Sequence, residues 1–233
     1  MADYIGIITA MRNEFGLVKK IIKSNGIKSK RENGFKILIG TYNGIPIILI
    51  KSGVGHLNAE KAITHIAKNY PISLLINLGI AGSIKPGVNI GDVIIGERIL
   101  LEYSNNSHSE NICEGIPNRM KEILEGFISK RKTAYNYGAI LTVKKPVVSS
   151  KRKKALYNTY GAECVDMEAG VIAKICALLE IPFLSIKVIS DHADFLSHPF
   201  LIVKKIPAFM KNMTLALSKL RPLLEEILDH VAR

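Results

Sequence analysis

The chain has 233 residues, 48% hydrophobic and 22% charged. That mixture excludes a disordered or low-complexity protein and fits one globular domain over residues 1–233. Three cysteines (Cys113, Cys164, Cys176) without CxxC spacing exclude a disulfide framework, argue against structural zinc, and suit the reducing cytoplasm.

The net formal charge of +12 raises nucleic acid or anionic membrane as partners. The basic residues are scattered, however, through Lys19-Lys20, Lys28 to Arg31, Lys130 to Lys132 and Lys151 to Lys154. No aromatic interleaving, zinc-finger spacing or RNP-like run accompanies them, so a solvated basic surface is expected, with no nucleic-acid partner. The first 15 residues read as carrying no secretory leader. The most apolar stretch, Ile72 to Gly82, contains Ser73 and Asn77 and falls far short of the roughly 20 residues a membrane helix needs. A soluble protein is expected.

Along the chain, Tyr4 to Ile8 reads as a buried strand. Met11 to Ile22 follows with Phe15, Val18, Ile21 and Ile22 at helical spacing. Phe35 to Ile39 and Ile47 to Ile50 are strand-like, joined through Tyr42-Asn43-Gly44, where Asn-Gly tolerates the positive φ of a hairpin turn. A helix is expected from Leu57 to Ala67. Leu74 to Leu78 is apolar enough for a strand covered on both faces, with Gly79 and Gly82 following it. Val93 to Ile95 is another strand, and Tyr103 to Pro117 reads as a loop. Helices are expected at Arg119 to Phe127 and Lys151 to Tyr157, with a strand at Ala139 to Val143 between them. Met167 to Leu179 reads as a helix and Phe183 to Ser190 as a strand. A basic amphipathic helix, Pro207 to Val231, closes the chain, kinked or broken at Pro222. This alternation predicts a single-domain α/β protein, three-layer α/β/α, with a central mixed, mostly parallel sheet.

Gly53-Val54-Gly55-His56-Leu57-Asn58 sits between strand and helix but lacks the third glycine and the trailing acid of a dinucleotide fingerprint. These glycines are expected only to permit a tight turn. No phosphate-binding loop, HExxH or GxSxG occurs, and the six histidines show no metal-ligand spacing, so no metal is expected. Three acids do lie where α/β enzymes build sites, at strand ends or the adjoining helix starts. Glu14 follows the first strand, Glu168 lies in Val165-Asp166-Met167-Glu168, and Asp191 ends Phe183 to Ser190. Taken singly, each is equally a helix-start charge or a cap.

Together the motifs are more specific. Ile5-Gly6-Ile7-Ile8-Thr9-Ala10-Met11 with Glu14, Ser52-Gly53-Val54-Gly55, Asn77-Leu78-Gly79-Ile80-Ala81-Gly82 with Gly91-Asp92-Val93, Val165-Asp166-Met167-Glu168-Ala169 and Ile189-Ser190-Asp191 resemble the nucleoside phosphorylase/nucleosidase superfamily, in the right order. The N-terminal element is most similar to methylthioadenosine/S-adenosylhomocysteine nucleosidases. The segment Leu141 to Ser150 also resembles the hopanoid-associated branch, which releases adenine from adenosylhopane.

The resemblance implies a hydrolytic purine nucleosidase acting on a 5′-modified adenine nucleoside, needing no cofactor and forming a homodimer. It assigns proton delivery at purine N7 to Asp191, the ribose hydroxyls and the developing cation to Glu168, and the attacking water to Glu14. Met167 would pack its thioether beside the sugar, Ser190 would support the aspartate or the base, and Met11, Ile80 and the backbone near Val147 and Val148 would contact substrate. Where phosphorylases of the superfamily carry an arginine and a serine for phosphate, this chain has Asn77 and Ile80, which favours water as nucleophile; Arg12 offers another cation near Glu14. The alternatives are a purine nucleoside phosphorylase and a non-catalytic nucleotide-binding protein on the same fold. The basic, apolar segment Phe195 to Met213 reads as a core- or dimer-packing helix, with a lid or a peripheral membrane contact as the functional alternative.

Overall fold

The computed structural model describes residues 3–22, 28–102, 109–114, 116–130, 135–192 and 202–231. In chain order the elements are β1 (Tyr4–Thr9), α1 (Arg12–Ile21), β2 (Lys28–Glu32), β3 (Phe35–Tyr42), β4 (Ile45–Lys51), α2 (His56–Asn69), β5 (Ile72–Ser83), β6 (Val93–Glu102), β7 (Ser109–Glu114), α3 (Asn118–Ser129), β8 (Tyr135–Thr142), α4 (Ser150–Tyr160), β9 (Cys164–Asp166), α5 (Ala169–Leu178), β10 (Phe183–Asp191) and α6 (Ile202–Val231). The strands form one mixed sheet in the order β10-β6-β8-β9-β5-β1-β4-β3-β2, with β7 on β6. Because β10 also pairs with β5, the run β5-β10-β6-β8-β9 closes on itself. The pairs β1–β4, β1–β5, β5–β10, β6–β8 and β8–β9 are parallel.

Side chains alternate between the two faces, as a pleated strand requires. Ile47 and Leu49 of β4, Leu74, Ile76 and Leu78 of β5, and Leu184, Ile186 and Val188 of β10 pack with α1, α3 and α6. Ile48 and Ile50, Leu75 and Ala81, and Phe183 and Ile189 pack on the other side with α2 and α5. This double covering makes the strands read as continuous apolar runs, and gives the three-layer arrangement expected. A third cluster, with Leu141, Val143, Val147 and Leu156, lies beneath α4.

Several expectations need correction. The strand β2 was not anticipated, because Lys-Ser-Lys-Arg-Glu has no apolar residue; charge suits a sheet edge. It is joined to β3 by Asn33-Gly34, both at positive φ like Asn43-Gly44, so a second hairpin signal stood in the sequence. Part of the expected loop 103–117 is the strand β7, paired antiparallel to β6. The strand β5 runs through Gly79 and Gly82 instead of stopping before them. The helix α5 starts at Ala169, not Met167. The last helix is unbroken through Pro222: Leu220, Leu223 and Leu224 around it are fully buried, and that packing outweighs one missing backbone bond. Of Phe195 to Met213, residues 195–201 lie outside the described residues, while Met213 is buried in the core with α1. Among the described residues no helix is long and apolar enough to cross a membrane.

Candidate active site

Parallel strands bring their carboxyl ends to one edge, and the chain places acids there from three directions. Glu14 lies in the first turn of α1, just beyond β1. Its Oε2 accepts from the Ala10 and Met11 N–H groups at 2.9 and 2.7 Å, and its Oε1 from the Ile80 N–H of β5 at 3.0 Å. The carboxyl fills the space a side chain at position 79 would need: a Cβ on Gly79 would stand 2.8 Å from Oε1. Glu14 is thus pinned between the N-terminus of its own helix and β5. Burial raises its pKa above the ordinary carboxylate value, against the backbone donors and the field of Lys187.

Glu168 is buried where β9 turns into α5. Its Oε1 accepts from the Gly55 N–H at 2.7 Å and its Oε2 lies 3.4 Å from the Met167 N–H. Gly53 and Gly55 have φ of 87° and 97°, a region that favours glycine. The Gly53-Val54-Gly55 turn therefore does more than connect a strand to a helix: it aims a backbone donor at Glu168. Burial and the neighbouring Asp166 push the Glu168 pKa up to about 7.

Asp191 ends β10, where it pairs with Gly82 of β5, and Gly82 pairs in turn with Val165 of β9. That register sets Asp191 and the Val165 to Glu168 segment on either side of the end of β5. Ser190 donates to Asp191 Oδ1 at 2.8 Å. Beside it, His192 Nδ1 and Ser83 Oγ are 2.9 Å apart. Met167 is half-buried, its Cε about 4.0 Å from where a Cβ on Gly55 would stand. Met11 and Ile80 are half-buried against the core near α1. Val147 packs inward in the third cluster, while Val148 is exposed.

Two residues at this edge were missed by sequence reasoning. Lys187, in the middle of the apolar strand β10, is 2% exposed and pairs with Asp166 Oδ2 at 2.8 Å. Asp166 also accepts from Thr142 Oγ1 at 2.5 Å and from the Ala169 N–H at 2.8 Å. Asp166, not Glu168, thereby serves the start of α5. The signal was available: a lysine within Phe-Leu-Ser-Ile-Lys-Val-Ile-Ser, and a second acid two residues before Glu168, since buried charges are seldom left unpaired. Asn77 is tied into the interior, its Nδ2 donating to Ile8 O at 3.4 Å and its Oδ1 accepting from Ser185 at 3.3 Å. Arg12 is exposed, whereas Glu14 is buried. Among the described residues no group of three or more His, Cys, Asp or Glu is arranged to hold a metal ion.

This architecture, with buried acids converging on the carboxyl edge of a mixed sheet, can be compared with known proteins. The sequence model of the Phosphorylase superfamily matches residues 4–229. The chain belongs to the Phosphorylase superfamily. Relatives within it include the 5′-methylthioadenosine/S-adenosylhomocysteine nucleosidase of Buchnera aphidicola subsp. Schizaphis graminum, 32% identical over 200 residues, which are 82% of this chain and 84% of the relative. The nucleosidase of the same name from Listeria innocua is 32% identical over 206 residues, 82% of this chain and 87% of the relative. Among solved structures, futalosine hydrolase of Helicobacter pylori superposes with a TM-score of 0.83 at 20% identity, over 98% of each chain. The methylthioadenosine/S-adenosylhomocysteine nucleosidase of Neisseria meningitidis, in complex with methylthio-immucillin-A, gives 0.81 at 22% identity over 97% of this chain and 98% of that one. These two share the superfamily fold with this chain.

Proposed function

We propose that this chain is a purine nucleosidase that hydrolyses the N-glycosidic bond of a 5′-modified adenine nucleoside and releases adenine. What supports the reading is the pair of buried carboxylates, Glu14 and Glu168, at the edge of the sheet where β10 ends in Asp191. It is joined by the names of relatives that are 32% identical over most of their length.

The chemistry follows from the charge that develops. Breaking C1′–N9 sends the bonding pair to the purine and leaves an oxocarbenium-like sugar, so the site must deliver a proton to one and negative charge to the other. Asp191, oriented by Ser190, gives the proton at N7. Glu168, ionised when the nucleoside is held, accepts from the ribose hydroxyls and opposes the cation, with the Met167 thioether beside the ring. Glu14 takes the proton of the water that adds at C1′; a raised pKa suits a carboxylate to that role. Met11, Ile80 and the backbone at Val147 and Val148 line the remaining walls.

Water is favoured over phosphate because position 77 offers an amide already bonded inside the protein, where a phosphate dianion would need a cation. The same reading includes a homodimer, for which the exposed Val54 and Leu57 beside the Gly55 turn supply apolar surface. It also includes a cytoplasmic setting, which suits Cys164 and Cys176, both buried as thiols.

The test is free-base release from methylthioadenosine, S-adenosylhomocysteine, adenosine, inosine, futalosine and adenosylhopane, with and without phosphate. Adenine release that does not depend on phosphate is expected from at least one 5′-modified adenine nucleoside. Release that requires phosphate and yields a sugar 1-phosphate would transfer the chain to the phosphorylases.

A further inference from the structure

Four ionisable groups share the buried edge of the sheet: one ammonium, Lys187, and three carboxyls, Asp166, Glu168 and Glu14. Their placement is fixed by strand register. Lys187 of β10 pairs with Gly79 of β5 in parallel, so both positions point to the same face. At Gly79 that face is filled by the Glu14 carboxyl. On its other side Lys187 meets Asp166. The ammonium therefore stands between the acid that begins α1 and the acids that precede α5.

The donors are shared unequally. Asp166 receives three: the Lys187 ammonium, the Thr142 hydroxyl and the Ala169 N–H. Thr142 is itself fixed by the Gly170 N–H at 2.7 Å. Glu168 receives one short backbone bond, from Gly55, and one long one. Three carboxylates around a single buried cation cannot all ionise cheaply. Asp166 holds the ammonium directly, Glu14 has three backbone donors, and Glu168 is the least supplied of the three.

We propose that Lys187, held by Asp166, which Thr142 fixes in turn, is a positioning residue that balances the charge of Glu168 and Glu14 and so sets the pH at which Glu168 becomes ionised. The Asp166–Lys187 pair works as two opposed controls, Asp166 holding a proton on Glu168 and Lys187 drawing it off. The charged groups that act most on Glu168 are Asp166 from β9, Lys187 from β10 and Glu14 from α1. The opposing directions agree with the field each exerts: Asp166 raises the Glu168 pKa and Lys187 lowers it. This assignment rests on the nucleosidase reading only for its consequence in catalysis.

The experiment is a carbon-13 NMR titration of the glutamate carboxyls, with the Glu168 resonance assigned by Glu168→Gln, alongside the pH profile of kcat/KM for adenine release. Wild type, Lys187→Met, Lys187→Arg and Asp166→Asn are compared. Glu168 is expected to titrate near pH 7 in wild type. It should move up by about one unit or more in Lys187→Met and down by a similar amount in Asp166→Asn. Lys187→Arg, which keeps the charge, should stay within a few tenths of a unit. The acid limb of kcat/KM should follow in the same order. A merely structural pair would weaken folding in both variants without moving the titration in opposite directions. Should Lys187→Met fail to fold, Asp166→Asn alone decides. A Glu168 titration that is unmoved or raised in Asp166→Asn overturns the assignment. If instead the titrations shift as expected but wild type releases no base from any nucleoside, the nucleosidase reading falls and the charge balance stands.

Discussion

Replacing Glu168 by glutamine should make the protein more stable at alkaline pH while stopping its chemistry. Glu168 is 6% exposed, and its pKa stands at about 7 against an ordinary value of 4.5. Below pH 4.5 the carboxyl is protonated both folded and unfolded, and costs nothing. Between 4.5 and 7 the unfolded chain releases the proton that the folded chain keeps, so stability falls as pH rises. Above 7 the full penalty is present. At about 1.4 kcal/mol per unit, a gap of some 2.5 units corresponds to about 3 kcal/mol. Glutamine keeps an acceptor for the Gly55 N–H and carries no charge, so it escapes this cost. For a domain of this size the gain corresponds to roughly 6–12 °C in Tm. Thermal melts of wild type and Glu168→Gln at pH 5, 6, 7 and 8 read it directly. The two should differ little at pH 5 and diverge steadily to pH 8. A folded Glu168→Gln that is no more stable than wild type at pH 8, or a difference independent of pH, would refute the argument that Glu168 is a desolvated, strained acid.

Other outcomes follow from the same geometry. Gly79→Ala drives a methyl to 2.8 Å from Glu14 Oε1; the carboxyl must leave the Ile80 N–H, and kcat/KM should fall by roughly tenfold or more in a protein that still folds by circular dichroism. Cys164 and Cys176 are fully buried, and burial pushes the Cys164 thiol well above its ordinary range. Neither should react with a disulfide reagent at pH 8 until denaturant is added, as peptide mapping would show. Tyr42 donates to Asp229 at 2.9 Å, tying the β3–β4 hairpin to the end of α6, and its phenol is raised to about 12. Tyr42→Phe should cost about 1 kcal/mol in urea unfolding and remove a late-titrating phenol from the alkaline absorbance curve.

Where a rule of pattern applies, the sequence was informative. The apolar runs in β1, β4, β5 and β10 are buried on both faces, and their continuity is what a doubly covered sheet demands. Asn43-Gly44 marks its turn because both residues take positive φ. The elements that escaped are those whose stability comes from neighbours. The all-polar β2 and the polar β7 exist because a partner strand offers a ladder, and the three-residue β9 because it is held by both β5 and β8. Pro222 misled about a break because core leucines on either side keep α6 continuous.

The site divides in the same way. Glu14, Glu168 and Asp191 were visible as acids at strand ends, and the family motifs named them. That Glu14 is held by β5, and Glu168 by the Gly55 turn, depends on contacts between residues 66 and 113 positions apart. No local pattern encodes such contacts. Asp166 lay within the Val165 to Ala169 motif and Lys187 within the expected strand Phe183 to Ser190, yet their pairing exists only once β9 and β10 flank the end of β5. A charged residue inside an apolar run deserved the question of what balances it.

The most direct measurement is a crystal structure of the protein with a transition-state mimic of an adenine nucleoside. The purine N7 should lie within hydrogen-bond distance of Asp191, the sugar hydroxyls on Glu168, and a water between Glu14 and the anomeric position. A mimic bound away from the carboxyl edge of the sheet, or seated there with Asp191 turned from the base, would contradict the assignment of these three acids to one reaction.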